Sequence, residues 1–227
     1  MINWNQYSEF PIRYHFQNAV DIVIEKLLHK EDTLLDVGGG IGQDWVKKSK
    51  NAYLLDPYVE LSDKYIGKDT YESDIKYDFI VARGSINYLT EAQIKRLIRK
   101  LNICGAIILN TFGTPPPEAS SFSEVPYRQQ SNVQREIVQE KYYYDASAKK
   151  IRHELKNLTT GKITHHSFHY YSLDQLKNWL DIDCIIPYRK NSFLLTRNIN
   201  QDCLREILEY HKTFQRDVDR HYGYENL

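Results

Sequence analysis

Residues 34–42 read Leu34-Leu35-Asp36-Val37-Gly38-Gly39-Gly40-Ile41-Gly42, an apolar run carried straight into glycines. Four of the chain's ten glycines fall between residues 38 and 42. A chain this sparing of glycine elsewhere needs special backbone geometry there, for a sharp turn or for a ligand packed against bare main chain. The segment 33–37 that feeds the turn is short and apolar, which suits a buried parallel strand. Residues 52–56, 77–82 and 105–111 have the same character. Amphipathic helices accompany them. One spans 16–30, with Phe16, Val20, Val23, Ile24 and Leu27 at helical spacing, and another spans 91–101, with Ile94, Leu97, Ile98 and Leu101 on one face. Strands alternating with helices predict a parallel sheet with right-handed crossovers.

After residue 112 the pattern changes. Residues 113–126 hold four of the seven prolines and several serines, and read as a loop or lid. Three antiparallel strands follow, over 136–145, 150–157 and 162–171, joined by short turns. Residues 173–180 form a helix with Ser172 as its N-cap. CIIPY and SFLLTR make a closing antiparallel pair. Residues 201–221 form a last helix whose stripe of Leu204, Ile207, Leu208, His211, Phe214 and Val218 docks on the core or on a second subunit.

Composition narrows the function classes. The 227 residues suffice for one domain with a sizeable core. Lys+Arg and Asp+Glu are both 30, and this zero net charge speaks against a nucleic-acid partner. No apolar run is long enough to span a bilayer, and the opening MINWNQYSEF lacks the build of a secretory leader. Cys104, Cys184 and Cys203 are odd in number and far apart, as in a reducing, cytoplasmic setting.

The glycine segment spells D-x-G-x-G-x-G. It does not fit the dinucleotide fingerprint, because Gln43 stands where the third glycine belongs, and no phosphate-binding loop of the G-x-x-x-x-G-K-[ST] kind is present. An acid ahead of the glycines suits an ammonium group better than a pyrophosphate. Asp56 ends the next apolar run, where a carboxylate can accept two hydrogen bonds from a ribose diol. A ligand with both an amino-acid ammonium and a ribose is S-adenosylmethionine. From about residue 33 to 197 the chain resembles the class I S-adenosylmethionine-dependent methyltransferases. The resemblance rests on LLDVGGGIG, YLLD, YDFIVARGSINYL, GAIILN and the closing pair CIIPY and SFLLTR. It implies an α/β fold: a Rossmann-like, doubly wound, mostly parallel sheet with a reversed final hairpin, an inserted antiparallel substrate cap and a C-terminal helix. The chain then divides into an N-terminal arm and helix (1–32), a cofactor-binding core (33–112), a lid and substrate cap (113–171), the end of the core (172–198) and a last helix (199–227). The resemblance also implies that Asp36 and the backbone of Gly38, Gly39 and Gly40 hold the methionine portion of the cofactor, and Asp56 its ribose. Asp74 becomes the adenine-site candidate, with Glu72 and Asp69 behind it. The interval from Asp56 to Asp78 is shorter than the family's usual one, so the third strand is short or missing.

Arg83 ends the 77–82 run at the ligand edge of the sheet, where it can pair with the cofactor carboxylate or with an acidic substrate group. Asn87 and Tyr88 line the same pocket. The inserted strands resemble the substrate cap of small-molecule members of the family, and they are rich in histidine and tyrosine. A symmetric turn at 159–161 puts His165 and His169 on the cap's apolar face as candidate catalytic bases, whereas a slip of one residue brings in His166 instead. No Cys or Asp completes a metal shell beside these imidazoles, so no metal site is assigned. The reading is transfer of a methyl group to N or O of a small metabolite or short peptide. A methyltransferase of protein or RNA, or a cofactor-binding homologue without transfer activity, is the alternative.

Overall fold

The computed structural model describes residues 19–38, 51–55, 65–66, 74–115, 119–129, 132–189 and 192–209. At its centre, β1 (Leu34–Val37), β2 (Ala52–Leu55), β3 (Tyr65–Ile66), β4 (Tyr77–Arg83) and the long β5 (Leu101–Phe112) run parallel, β5 pairing with β4 at Leu101 and over Ala106–Asn110. The sheet is completed by β10 (Cys184–Arg189) and β11 (Ser192–Arg197), giving the order β10-β11-β5-β4-β1-β2-β3. Of these strands, β11 alone runs against its neighbours, because it pairs antiparallel with both β5 and β10. The expected reversed final hairpin is therefore one reversed strand between two that share a direction. The chain order turns back between β1 and β4, the switch point at which open sheets of this kind carry a crevice at the strands' C-terminal ends.

Two-sided burial explains why these runs are apolar rather than alternating. On one face Leu34, Leu54, Val81, Ile108 and Leu194 pack with Val20, Val23 and Ile24 of α1 (Ala19–Leu27) and with Leu204, Ile207 and Leu208 of α4 (201–209). On the other face Leu35, Leu55, Ile80, Ile107 and Leu195 pack with Ile94 and Leu97 of α2 (Glu91–Leu97) and Leu176 and Leu180 of α3 (Leu173–Leu180). Neighbours in sequence thus serve opposite layers, the signature of a doubly wound sheet. Both α2 and α3 begin at capping boxes, Thr90 with Gln93 and Ser172 with Gln175, which satisfy the first free N–H groups of each helix. The helix predicted over 91–101 ends early. It tightens into a 3-10 turn over Ile98–Lys100, and β5 begins at Leu101, four residues before the predicted start.

A second sheet of four antiparallel strands, in the order β6-β7-β8-β9, comes from β6 (Ala119–Gln129), β7 (Asn132–Asp145), β8 (Lys150–Asn157) and β9 (Ile163–His169). The expectation of a loop or lid over 113–126 is corrected here, because most of it is β6, paired with β7 from Ala119 to Gln129. Pro126 cannot donate to a ladder, yet β6 is an edge strand, where proline is tolerated. The predicted stripe residues Phe16, His211, Phe214 and Val218 lie outside the described residues. Among the described residues no helix is long and apolar enough to cross a membrane.

At the N-terminal edge of the central sheet, Asp78 ties three segments together. Its carboxylate accepts from the Thr33 N–H at 2.8 Å, the Thr33 hydroxyl at 2.7 Å and the Asn102 amide at 2.5 Å. Burial alone would raise this carboxyl, but the hydrogen bonds from Thr33 and Asn102 outweigh it and hold Asp78 below its ordinary value. Asp78→Ala is expected to cost about 1–2 kcal/mol, discounted for partial solvation, and roughly 2–8 °C in Tm. Because the folded carboxyl is the more acidic, this stabilisation is present above the unfolded value of about 4 and fades as the pH falls through the lower folded value. Melting curves of parent and variant should therefore converge in acid, and a gap that stays constant down to pH 2 would refute the assignment.

Candidate functional site

The strands β1, β2 and β4 end together, and the glycine turn begins where they do. Gly38, the first residue past β1, has φ of 69°, the left-handed region that suits glycine, and its N–H donates to the Leu55 carbonyl at 2.8 Å. A Cβ there would collide with the Cβ of Ser85. Ser85, just beyond β4, donates its hydroxyl to the Val37 carbonyl. The first glycine of the motif is thus required by the close approach of the β4 exit to the β1 exit. Gly39, Gly40 and Asp56, which follow Gly38 and Leu55 in the chain, lie outside the described residues, as do Glu72 and Asp69.

Between these two exits lies a buried charge pair. Arg83 Nη2 donates to Asp36 Oδ2 at 2.5 Å, with 9% and 1% of the two side chains exposed. Nothing in the local sequence pairs these two residues, which lie 47 positions apart. Sheet order does so: β1 is hydrogen-bonded to β4 with Asp36 beside Val81, and Arg83 extends two residues beyond. A carboxylate buried this deeply needs a cation, and a guanidinium is the cation least costly to bury. Asp74 goes elsewhere. It is exposed and precedes the first residue of β4, whereas the crevice lies past the last. The nine residues to Arg83, largely extended, carry it to the far edge of the sheet, roughly 30 Å away at about 3.3 Å per residue. The adenine-site expectation at Asp74 is corrected accordingly, since the segment leading into a parallel strand arrives at the edge opposite the ligand.

The second sheet meets the crevice through β9. Its register pairs Ile151 with Phe168, His153 with His166 and Glu154 with His165, one residue away from the symmetric-turn expectation. That slip turns every side chain to the other face. His166 and Phe168 are buried, and His165 is exposed, with Nδ1 3.6 Å from Glu154. The structure therefore does not bring His165 to the site. The buried face carries a row across three strands, Tyr142, His153 and His166. The Tyr142 and His153 rings stack at 4.3 Å, and His153 and His166 lie 5.8 Å apart. Phe168 continues this face onto the central sheet, packing on Phe112 at the end of β5 and on Tyr88 past β4.

His169, the last residue of β9, is half-buried at that seam. Its ring stacks on Tyr171 at 5.6 Å, and its carbonyl accepts from the Asn87 amide at 2.9 Å. Burial, and then the charge of Lys150 across the β8–β9 ladder, lower its pKa from the ordinary 6.5. A neutral imidazole at the crevice rim is able to accept a proton at physiological pH. Burial pushes the Tyr171 phenol up to about 12, with Glu91 adding to the rise, so it remains a donor, and it gives its proton to the Leu89 carbonyl at 2.8 Å.

Known structures share this fold. No family model matches the chain, and no curated protein matches it in sequence. An S-adenosylmethionine-dependent methyltransferase from Clostridium acetobutylicum ATCC 824 superposes with a TM-score of 0.57 at 12% identity, over 85% of this chain and 97% of its own. An amino pentose methyltransferase from Micromonospora echinaspora, involved in calicheamicin biosynthesis and solved with S-adenosylmethionine bound, gives 0.60 at 12% identity, over 86% and 96%. The chain has the fold of the S-adenosylmethionine-dependent methyltransferases. A methyltransferase from Streptomyces caelestis agrees, with a TM-score of 0.56 at 9% identity over 78% and 87%. In this methyltransferase fold the paired Asp36 and Arg83 stand where β1 and β4 open to the crevice.

Arg83→Ala would leave the Asp36 charge buried without its guanidinium. The expected cost is about 3 kcal/mol, or roughly 6–12 °C in Tm. Adding Asp36→Asn to that variant should restore part of the loss, because the stranded charge is then gone. Calorimetric melts that show Arg83→Ala as stable as the parent would mean the pair carries no net stability.

Proposed function

We propose that the chain is an S-adenosylmethionine-dependent methyltransferase that transfers a methyl group to an N or O nucleophile of a small metabolite or short peptide. The observation that carries the reading is the buried Asp36–Arg83 pair at the C-terminal ends of adjacent parallel strands, in a sheet whose rim is met by the aromatic face of a second sheet. The pair fits the cofactor in charge. A carboxylate and a guanidinium side by side complement the ammonium and carboxylate of an α-amino acid. Asp36 would meet the ammonium, and Arg83, with five N–H donors, would have donors left for the carboxylate beyond the one given to Asp36. The backbone of Gly38, Gly39 and Gly40 would hold the methionine portion, and Asp56 would accept from the ribose hydroxyls. When bound, the cofactor supplies an electrophilic methyl group on a sulfonium.

The chain's part is placement, exclusion of water and the fate of one proton. Phe112, Tyr88 and Phe168 close the seam between the sheets with apolar surface, which keeps water from the reacting atoms. His169 takes the proton of the nucleophile on its unprotonated ring nitrogen. Small-molecule enzymes among the structural neighbours support the substrate class, as does the neutral net charge, which gives no attraction for a polyanion.

Titration calorimetry with S-adenosylmethionine and S-adenosylhomocysteine tests the cofactor. Asp56→Ala is expected to weaken binding about tenfold or more with the fold intact, since hydrogen bonds to a charged group contribute about 1.5–3 kcal/mol. No binding by the parent protein would overturn the reading. A panel of amino sugars, phenols and short peptides, followed by release of S-adenosylhomocysteine, tests the transfer. On an acceptor found there, His169→Ala should lower turnover by about 10²–10⁴-fold while cofactor affinity stays. Because the neutral imidazole is the working form and its pKa is lowered from 6.5, activity should hold as the pH falls to 6.5 and decline only below it. His165→Ala should leave turnover unchanged.

A further inference from the structure

Three hydrogen bonds cross from the exit of β9 to the rim of the central sheet. Asn87 Nδ2 donates to the His169 carbonyl at 2.9 Å, the Tyr170 hydroxyl to the Gly113 carbonyl at 3.0 Å, and the Tyr171 hydroxyl to the Leu89 carbonyl at 2.8 Å. Asn87 differs from the two tyrosines in being fully enclosed, with 1% of it exposed. It stands in the 3-10 turn Ile86–Tyr88 directly after β4, and its Oδ1 accepts from the hydroxyl of Thr111 on β5 at 3.0 Å. Thr111 is itself buried. The chain Thr111–Asn87–His169 therefore links β5, the β4 exit and the last residue of β9 in one line of directed bonds. An amide is suited to this place, because it accepts with one end and donates with the other. An apolar residue would leave the His169 carbonyl and the Thr111 hydroxyl without these partners at a buried seam.

We propose that Asn87 is a positioning residue for the reaction: it fixes the end of β9 to the sheet rim and so sets where the His169 imidazole stands over the crevice. The proposal rests on the reading of His169 as the proton acceptor. The rigid backbone of β9 carries the imidazole, so a bond to its carbonyl places the ring without touching it. Displacements of about 1 Å at a reacting group can cost on the order of 10²-fold in rate.

The burial of His169 is the property Asn87 controls, so it is also the property to measure. The titratable and charged groups near the ring among the described residues are Lys150, the phenols of Tyr170 and Tyr171, and Glu91 behind Tyr171. None is altered by a change at Asn87 or Thr111. The test is an NMR titration of the histidine ring protons in the full chain with S-adenosylhomocysteine added, the His169 signal being assigned by its absence in His169→Gln. Asn87→Ala should move the His169 pKa upward toward 6.5 as the strand end lifts, and Thr111→Val should move it the same way by less. Thr111→Ser keeps the hydroxyl and should titrate as the parent. An unchanged His169 pKa in Asn87→Ala and Thr111→Val would overturn the proposal while leaving the role of His169 standing. Turnover of the panel acceptor separates the two ideas further. Asn87→Ala should be slowed about 10–100-fold in the parent background and should add nothing to His169→Ala. Equal slowing in both backgrounds would show that Asn87 acts apart from His169 and would also overturn the proposal. Full turnover in His169→Ala would remove the base itself, and the positioning role with it.

Discussion

A carboxylate with 1% of its surface exposed cannot stand without a cation, and the geometry of the crevice follows from that need. Asp36 is the one charged residue in β1, a strand whose other members are buried apolar side chains. Arg83 reaches it because β4 lies beside β1 and runs in the same direction, so that both strands end at one edge. The Ser85 hydroxyl on the Val37 carbonyl and the Gly38 N–H on the Leu55 carbonyl lock the same three strand ends. The charged part of the site therefore sits where three strand ends are tied together, as a site of fixed geometry requires.

The second sheet is attached by different means. Its contact with the crevice combines aromatic packing, Phe168 on Phe112 and Tyr88, with directed hydrogen bonds from the segment 169–171 and to its backbone. Packing supplies area without direction, and the hydrogen bonds supply direction. Together they let an inserted sheet present a half-buried imidazole at a defined place on the rim. The same burial, with Lys150 nearby, keeps that imidazole neutral.

Several features were legible in the sequence because they follow from local chemistry. The glycine that opens the turn after β1, the capped start at Ser172 and the apolar runs of the central strands each depend on a few adjacent residues, and each stands where the local pattern puts it. The region after residue 112 was harder. β6 contains a proline and several serines, and only its position at a sheet edge makes them compatible with a strand. The place of Asp74, ahead of β4, was not legible for a related reason. Its distance from the glycine turn along the chain carries no information about which edge of the sheet it reaches.

The sequence by itself determined the class of fold, since two-sided burial writes unbroken apolar runs and a ligand-bearing turn writes glycines. It also determined the residue types available at the crevice: Asp36, Arg83, Asn87 and a group of cap histidines. Tertiary structure decided which of them meet. The Asp36–Arg83 pair depends on strand order, a long-range fact that no local pattern encodes. The choice between His165 and His166 for the buried face of the cap depends on the β8–β9 register, where a one-residue difference in the turn reverses the faces of the whole strand. The link through Asn87 joins segments 24 and 82 residues apart and exists only once two sheets have docked.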